Sequence, residues 1–135
     1  MTYSELAVTD DLSFTVPNKV NENFRTARFL NAVSHSATFT VWADDATGVP
    51  RDLYLVTTAA ATIVANLPTY ASGDAAAGRV VTIMKIDAGG GTVSIDPDGS
   101  ETINGSATPV SLGTQYHYRT LVYDGASGWI VIASS

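Results

Sequence analysis

The densest group of chemistry-bearing side chains is Asp96-Pro97-Asp98-Gly99-Ser100-Glu101, which places three carboxylates within six residues. Carboxylates this close together are typical of calcium-binding loops. A helix-flanked calcium loop that began at Asp96 would need a glutamate at its twelfth position, where this chain has Ala107. Proline followed two residues later by glycine is typical of a tight turn with the glycine at positive φ. We therefore interpret this run as a turn, and we predict no metal and no cofactor.

Histidine chemistry has little support in the sequence. His35 and His117 are the only histidines, and each stands alone in the local sequence. A Ser-His-Asp hydrolase of the common strand-turn-helix type needs a Gly-x-Ser-x-Gly elbow, and Gly125-Ala-Ser-Gly128 is one residue short of it. Paired carboxylates could hydrolyse glycans, but Asp44-Asp45 and the Asp96/Asp98 pair both lie in turn contexts. We predict that the chain is not an enzyme.

Three aromatic residues form a candidate glycan surface. Tyr116, Tyr118 and Trp129 are expected on adjacent strands, where their rings could stack on a sugar, with Arg119 as a polar partner. Aromatic residues on strands more often pack in a core or a subunit interface. Packing is the favoured interpretation, and sugar binding stays open as the alternative.

The elements that position these residues are predicted to be strands. Short β-branched runs alternate with turn signals from Ser36 onward. Gly89-Gly90-Gly91 predicts one hairpin, Asn104-Gly105 predicts a type I′ turn, and Asp124–Gly128 predicts the turn of a final hairpin. About eight or nine strands in roughly 100 residues predict a compact antiparallel sandwich or barrel, so the fold class is all-β.

Residues 1–34 differ from this β domain of residues 35–135. Leu12, Phe14 and Val16 alternate with polar residues, which predicts an extended arm that ends at Pro17. A short helix capped by Asn18 is then expected. Its apolar stripe would contain Val20, Phe24 and Leu30, and such a short helix needs a surface to pack on. We predict that these six apolar residues serve attachment and assembly.

Composition favours burial in an assembly. Only 15% of the 135 residues are charged, whereas 45% are hydrophobic. No apolar run reaches the roughly 18 residues that a membrane span needs, so membrane insertion is not expected. Both faces of Arg79–Ile86 carry apolar residues, which predicts that copies of the chain bury them as a homotrimer.

Charge and the amino terminus restrict partners and location. The net charge is −6 with seven Lys and Arg in total, so no basic stripe is available for nucleic acid. The chain has no cysteine. The first residues, Met1-Thr-Tyr-Ser-Glu-Leu, lack the basic and apolar regions of a signal peptide. We expect synthesis in the cytoplasm without signal-peptide secretion.

The β region also resembles a module of tailed-bacteriophage fibre and decoration proteins. Its motifs occur here in the module's order: Leu67-Pro68, Gly78-Arg79-Val80, Lys85-Ile86-Asp87, the block from Ile95 to Gly105, Tyr116-His-Tyr118 and Gly128-Trp129. The segment Asn18–Phe24 is similar to the segment by which such proteins extend from the virion surface.

That resemblance implies a non-enzymatic, trimeric virion component, carried by head or tail as a fibre, spike or decoration. Its partners would be its own copies and other virion proteins of the capsid or tail. The alternative is a host-glycan-binding receptor tip of a tail fibre.

Overall fold

The computed structural model describes residues 31–45, 50–69 and 77–135, which all belong to one unit, Asn31–Ser135. The predicted arm and helix lie almost wholly within residues 1–30, outside the described residues. Within the described ranges the chain forms ten strands and no helix. The strands are β1 (Ala32–His35), β2 (Phe39–Thr40), β3 (Leu53–Val56), β4 (Ile63–Asn66), β5 (Val80–Lys85), β6 (Val93–Asp96), β7 (Thr102–Ile103), β8 (Val110–Leu112), β9 (Tyr118–Tyr123) and β10 (Gly128–Ser134).

From β1 to β8 the chain alternates between two sheets. The larger sheet has the order β1-β3-β5-β9-β10-β7, and the smaller has the order β2-β4-β6-β8. The chain crosses from one sheet to the other and back, and each passage places a new strand beside the preceding strand of the same sheet. As a result, β1, β3 and β5 are parallel to one another, as are β2, β4 and β6. The all-β prediction is confirmed, but the expectation of an antiparallel fold is wrong: both sheets are mixed.

One predicted hairpin is wrong and two predicted turns are confirmed. Gly89–Gly91 does not join a hairpin, because β5 and β6 lie in different sheets. Asn104 and Gly105 have φ values of 52° and 81°, and Ile103 and Ser106 exchange backbone hydrogen bonds of 2.8 and 3.0 Å. Asp124–Gly128 closes the antiparallel β9–β10 hairpin, which then adds to β5.

The core lies between the two sheets and takes every second residue of the central strands. In β5, Val81 and Ile83 are fully buried, and in β4, Ile63 and Ala65 alternate with less buried neighbours. Trp129 of β10 is also buried in this cluster. Full burial of a side chain such as Ile83 stabilises the fold by about 1.5–3 kcal/mol. This core fixes which side chains of each strand face outward.

Candidate functional site

The most unusual polar residue of the described part is Lys85, at the end of β5. It lies two residues after Ile83 and four after Val81, so it shares their inward face, and the residue is completely buried. Lys85 Nζ donates to the Asp87 carbonyl at 2.6 Å, to Asp87 Oδ1 at 2.9 Å and to the Gly89 carbonyl at 2.9 Å. Since an ammonium has three N–H donors, all of them are used.

Asp87 accepts two of these hydrogen bonds and several more at the corner between β5 and β6. Its carboxylate accepts from the backbone N–H groups of Thr58, Ala59 and Gly89 at 3.0, 2.9 and 3.1 Å, and from the Thr58 hydroxyl. The Thr58 N–H, followed by the Lys85 ammonium, holds the pKa of the Asp87 carboxyl well below its usual range. We call Thr58, Ala59, Lys85, Asp87 and Gly89 the corner cluster.

The corner cluster joins two successive passages of the chain. Thr58 and Ala59 lie between β3 and β4, whereas Asp87 and Gly89 lie between β5 and β6. A Cβ on Gly89 would lie 2.0 Å from the Ala59 carbonyl oxygen, so the backbones touch there. A lysine nucleophile needs a neutral, accessible amine, whereas this one is buried with all its protons donated. The arrangement is suited to holding the two corners together.

Two histidine and carboxylate candidates make separate contacts. His35 Nε2 lies 2.7 Å from Asp44 Oδ2, and the His35 ring stacks on Phe39 at 4.2 Å. Asp45, the neighbour of Asp44, instead accepts from Arg79 at 2.7 Å. The two adjacent carboxylates are therefore engaged by different partners. Sequence reasoning missed the His35–Asp44 pair because nine residues separate the two.

His117 and Arg79 lie in other surroundings. The backbone N–H of His117 donates to the Thr114 carbonyl at 3.1 Å, just before β9 begins. The Arg79 guanidinium lies 3.9 Å from the centre of the Trp42 ring and also donates to Asp52 Oδ1 at 2.9 Å. A cation over a tryptophan face is a favourable contact. Arg79 thus binds the turn after β2 to the start of β5.

The acidic run at 96–101 forms the predicted turn. Gly99 has a φ of 56°, and the Glu101 N–H donates to the Asp98 carbonyl at 2.9 Å. Glu101 is largely buried and accepts from Trp129 Nε1 at 3.2 Å. A cavity of about 390 Å³ adjoins this turn and is lined by Thr69, Asp98, Gly99, Ser100, Glu101, Ala126 and Ser127. Across the described ranges, no group of three or more metal-ligating side chains is found.

The three aromatic residues of the candidate glycan surface do not share one exposed face. Trp129 is buried, with its ring centre 5.5 Å from that of Trp42 and 5.2 Å from that of Tyr123. Tyr116 lies in the turn before β9, where it is 62% exposed and has a φ of 65°. Tyr118 is half-buried at the start of β9. Only the two tyrosines are therefore open to a ligand.

The outward faces of the two sheets differ in chemistry. The smaller sheet presents polar residues outward, among them Asn66, Ser94, Asp96 and Ser111. The larger sheet presents what we call the apolar face: Leu53, Leu55, Val80, Met84, Val122 and Ile130, with Thr82 and Thr120 among them. The strand register places Val80 beside Val122, Val122 beside Ile130, and Leu55 beside Met84.

The candidate assembly residues of the amino-terminal region lie outside the described residues. These are Leu12, Phe14, Val16, Val20, Phe24 and Leu30. Within the part of the chain that the structure describes, no helix is long and apolar enough to cross a membrane. No protein-family model matches the chain, and no curated protein matches its sequence.

Proposed function

We propose that this chain is a structural, non-catalytic protein displayed on the outside of a tailed-phage particle as a fibre, spike or decoration. In this proposal it assembles as a homotrimer, and residues 1–30 attach it to a capsid or tail protein. The β unit Asn31–Ser135, which includes β1, is the displayed part.

The observation that carries the proposal is that the motifs on which the phage resemblance rests supply side chains that hold strands and turns together. Lys85-Ile86-Asp87 supplies the two ionic side chains of the corner cluster. Arg79 of Gly78-Arg79-Val80 bridges to Trp42 and Asp52. Trp129 of Gly128-Trp129 packs in the core. A set of motifs whose side chains hold strands together is typical of a structural module.

Attachment through the arm would work by strand addition. Residues 12–16 alternate apolar and polar side chains, as an edge-adding strand does. Backbone hydrogen bonds would give the affinity, and the pockets for Leu12, Phe14 and Val16 would give the specificity. No catalytic step is required.

Deletion of residues 1–16 tests the attachment role. The truncated chain should keep its β circular-dichroism spectrum and its oligomeric state, because the described strands all begin after that segment. It should fail to rebind purified virions that lack the chain. Phe14→Ala should weaken rebinding, whereas the matched control Ser13→Ala on the alternate positions should not. Full occupancy by the truncated chain would assign attachment to another segment.

Glycan binding by a receptor tip is the second candidate, supported by the exposure of Tyr116. It would use Tyr116 and Tyr118, since the Trp129 ring is buried. Binding to host polysaccharide that Tyr116→Ala abolishes would favour the tip function. Equal retention of both proteins on the polysaccharide, or none, would count against it.

A further inference from the structure

We infer that the apolar face of the larger sheet is the surface through which copies of this chain pack against one another. The inference rests on the proposed homotrimer and names the contact that would form it. Val80, Ile130 and the neighbouring Ile132 are 38%, 46% and 56% exposed, so this face offers large apolar side chains to solvent. Removing such side chains from water is the main driving force of association.

The charge distribution favours a second copy as the occupant. The chain carries a net charge of −6, so its copies repel one another where acidic residues meet. The outward positions of β1, β3, β5, β9 and β10 contain no Asp, Glu, Lys, Arg or His. Two copies can therefore meet on this face without bringing like charges together. A partner selected by charge would find no counter-charge there.

The two threonine hydroxyls within the apolar face are hydrogen-bonded to each other. Thr82 Oγ1 and Thr120 Oγ1 lie 2.9 Å apart across β5 and β9 and hydrogen-bond to each other. Burial of a hydroxyl is costly mainly when its hydrogen bond is lost. Because these two hydroxyls already form a pair, their burial leaves that hydrogen bond intact.

The outward face of the larger sheet is unusual because it is apolar, whereas the outward face of the smaller sheet is polar. Antiparallel and mixed sheets with one face in water normally place polar residues on that face. The smaller sheet does so with Asn66, Ser94 and Ser111. At about 4.8 Å per strand and 3.3 Å per residue, the five strands of four to seven residues cover roughly 430 Å². That lies within the about 300–600 Å² of the largest apolar patches on monomers, which are often functional.

A charged substitution on the apolar face is the first test. Ile130→Glu places a carboxylate on the face, and the partly exposed Ile130 side chain lies outside the core. Sedimentation of the variant should show dissociation at a protein concentration at least about tenfold above that of the wild type. Ser111→Glu, an exposed position on the smaller sheet, should leave the oligomer unchanged.

A single cysteine then distinguishes a second copy from the chain's own residues 1–30 as the occupant. The chain contains no cysteine, so Ile130→Cys can be labelled alone with a maleimide. Burial by a second copy predicts slow labelling at high protein concentration and at least tenfold faster labelling after dilution below the dissociation midpoint. Slow labelling at every concentration would assign the face to residues 1–30 and overturn the inference. Fast labelling at every concentration would also overturn it.

The result is separable from the proposed function. A wild-type oligomer that Ile130→Glu leaves intact would overturn the assignment of the face while the virion role stood. Absence of the chain from purified virions would overturn the virion role, and dilution-dependent labelling of Ile130→Cys would still support contact between copies.

Discussion

Lys85 Nζ lies 2.9 Å from Asp87 Oδ1, and the lysine has no exposed surface. The two residues are only two positions apart, but the Asp87 carboxylate also accepts from the backbone of Thr58 and Ala59 in the preceding corner. A local ion pair thereby links two passages of the chain. Removal of either partner should therefore affect the whole β domain.

Lys85→Ala should lower the free energy of unfolding by about 2–5 kcal/mol, because it removes a fully buried side chain and leaves the partly exposed Asp87 carboxylate without its ammonium partner. It also leaves the Asp87 and Gly89 carbonyl groups without the donor that they now share. Lys85→Met is the matched control, since it keeps most of the aliphatic chain and creates a smaller cavity. Urea unfolding of both variants measures the difference. Equal stability of wild type and Lys85→Met would show that the ammonium contributes nothing.

Acid should destabilise the β domain through Asp87. Its pKa in the folded chain lies below its unfolded value, so its stabilising effect is complete above the unfolded pKa of about 3.9 and is lost as the pH falls toward the folded pKa. Asp124 acts in the same direction, because the N–H groups of Ala126, Gly128 and Ser127 lower its pKa. Urea unfolding between pH 6 and pH 2 should show stability falling below about pH 4.

Asp87→Asn is the variant that identifies the group responsible for the acid effect. Its stability should be lower than that of the wild type at pH 6, and should decline less steeply below pH 4, because one of the linked carboxyls is gone. Asp124→Asn should reduce the slope independently, since it lies in the β9–β10 turn. An unchanged slope in both variants would place the acid sensitivity on other carboxyl groups.

Gly91→Ala should destabilise the fold far more than Gly90→Ala. A Cβ on Gly91 would lie 2.0 Å from the Ala61 carbonyl oxygen, whereas one on Gly90 would meet no atom within 4 Å. The Gly91 N–H also donates to the Ala59 carbonyl at 2.9 Å, so the backbone cannot move away without breaking that bond. Such overpacking typically costs about 1–3 kcal/mol. Thermal melts of the two single variants, adjacent in sequence, make the comparison direct.

Sequence patterns located most strands but not their partners. The alternation of Ile63, Ala65 and Leu67 predicts one buried face in β4, and all three are buried. Alternation is the same for a strand in either sheet, so it cannot show that β5 and β6 belong to different ones. The glycines at 89–91 indicate a break in the strand correctly. Gly89 and Gly91 let their backbone approach the backbone of Ala59 and Ala61 closely. A run of glycines in a hairpin turn has the same appearance in the sequence, so the two cases could not be distinguished.

The corner cluster could not be predicted for a related reason. A lysine at the end of a strand is usually exposed. Its burial depends on the loop at Thr58, which lies 29 residues from Asp87 and is brought there by the parallel pairing of β3 and β5. The alternating apolar residues of Arg79–Ile86 did indicate an outward apolar surface. Its extent became visible only when β9 and β10 were placed beside β5.

Asn104 offers a last prediction, because it has two separable roles in the turn before β8. Its φ of 52° lies in the left-handed region, which asparagine tolerates better than most residues. Its Oδ1 also accepts from the Val131 N–H at 3.0 Å, beside the irregularity in the β10 register. Asn104→Ala loses both features and should cost about 1.5–3.5 kcal/mol, the sum of the strain and one hydrogen bond.

Asn104→Gly and Asn104→Asp separate these contributions. Glycine relieves the strain but removes the acceptor, so its cost should come mainly from the Val131 N–H that loses its partner. Aspartate keeps an acceptor at the same place and tolerates the same φ, so it should be the most stable of the three variants near neutral pH. Urea unfolding should therefore rank Asp above Gly and Gly above Ala at position 104. A Gly variant as stable as the Asp variant would mean that the hydrogen bond to Val131 contributes no stability.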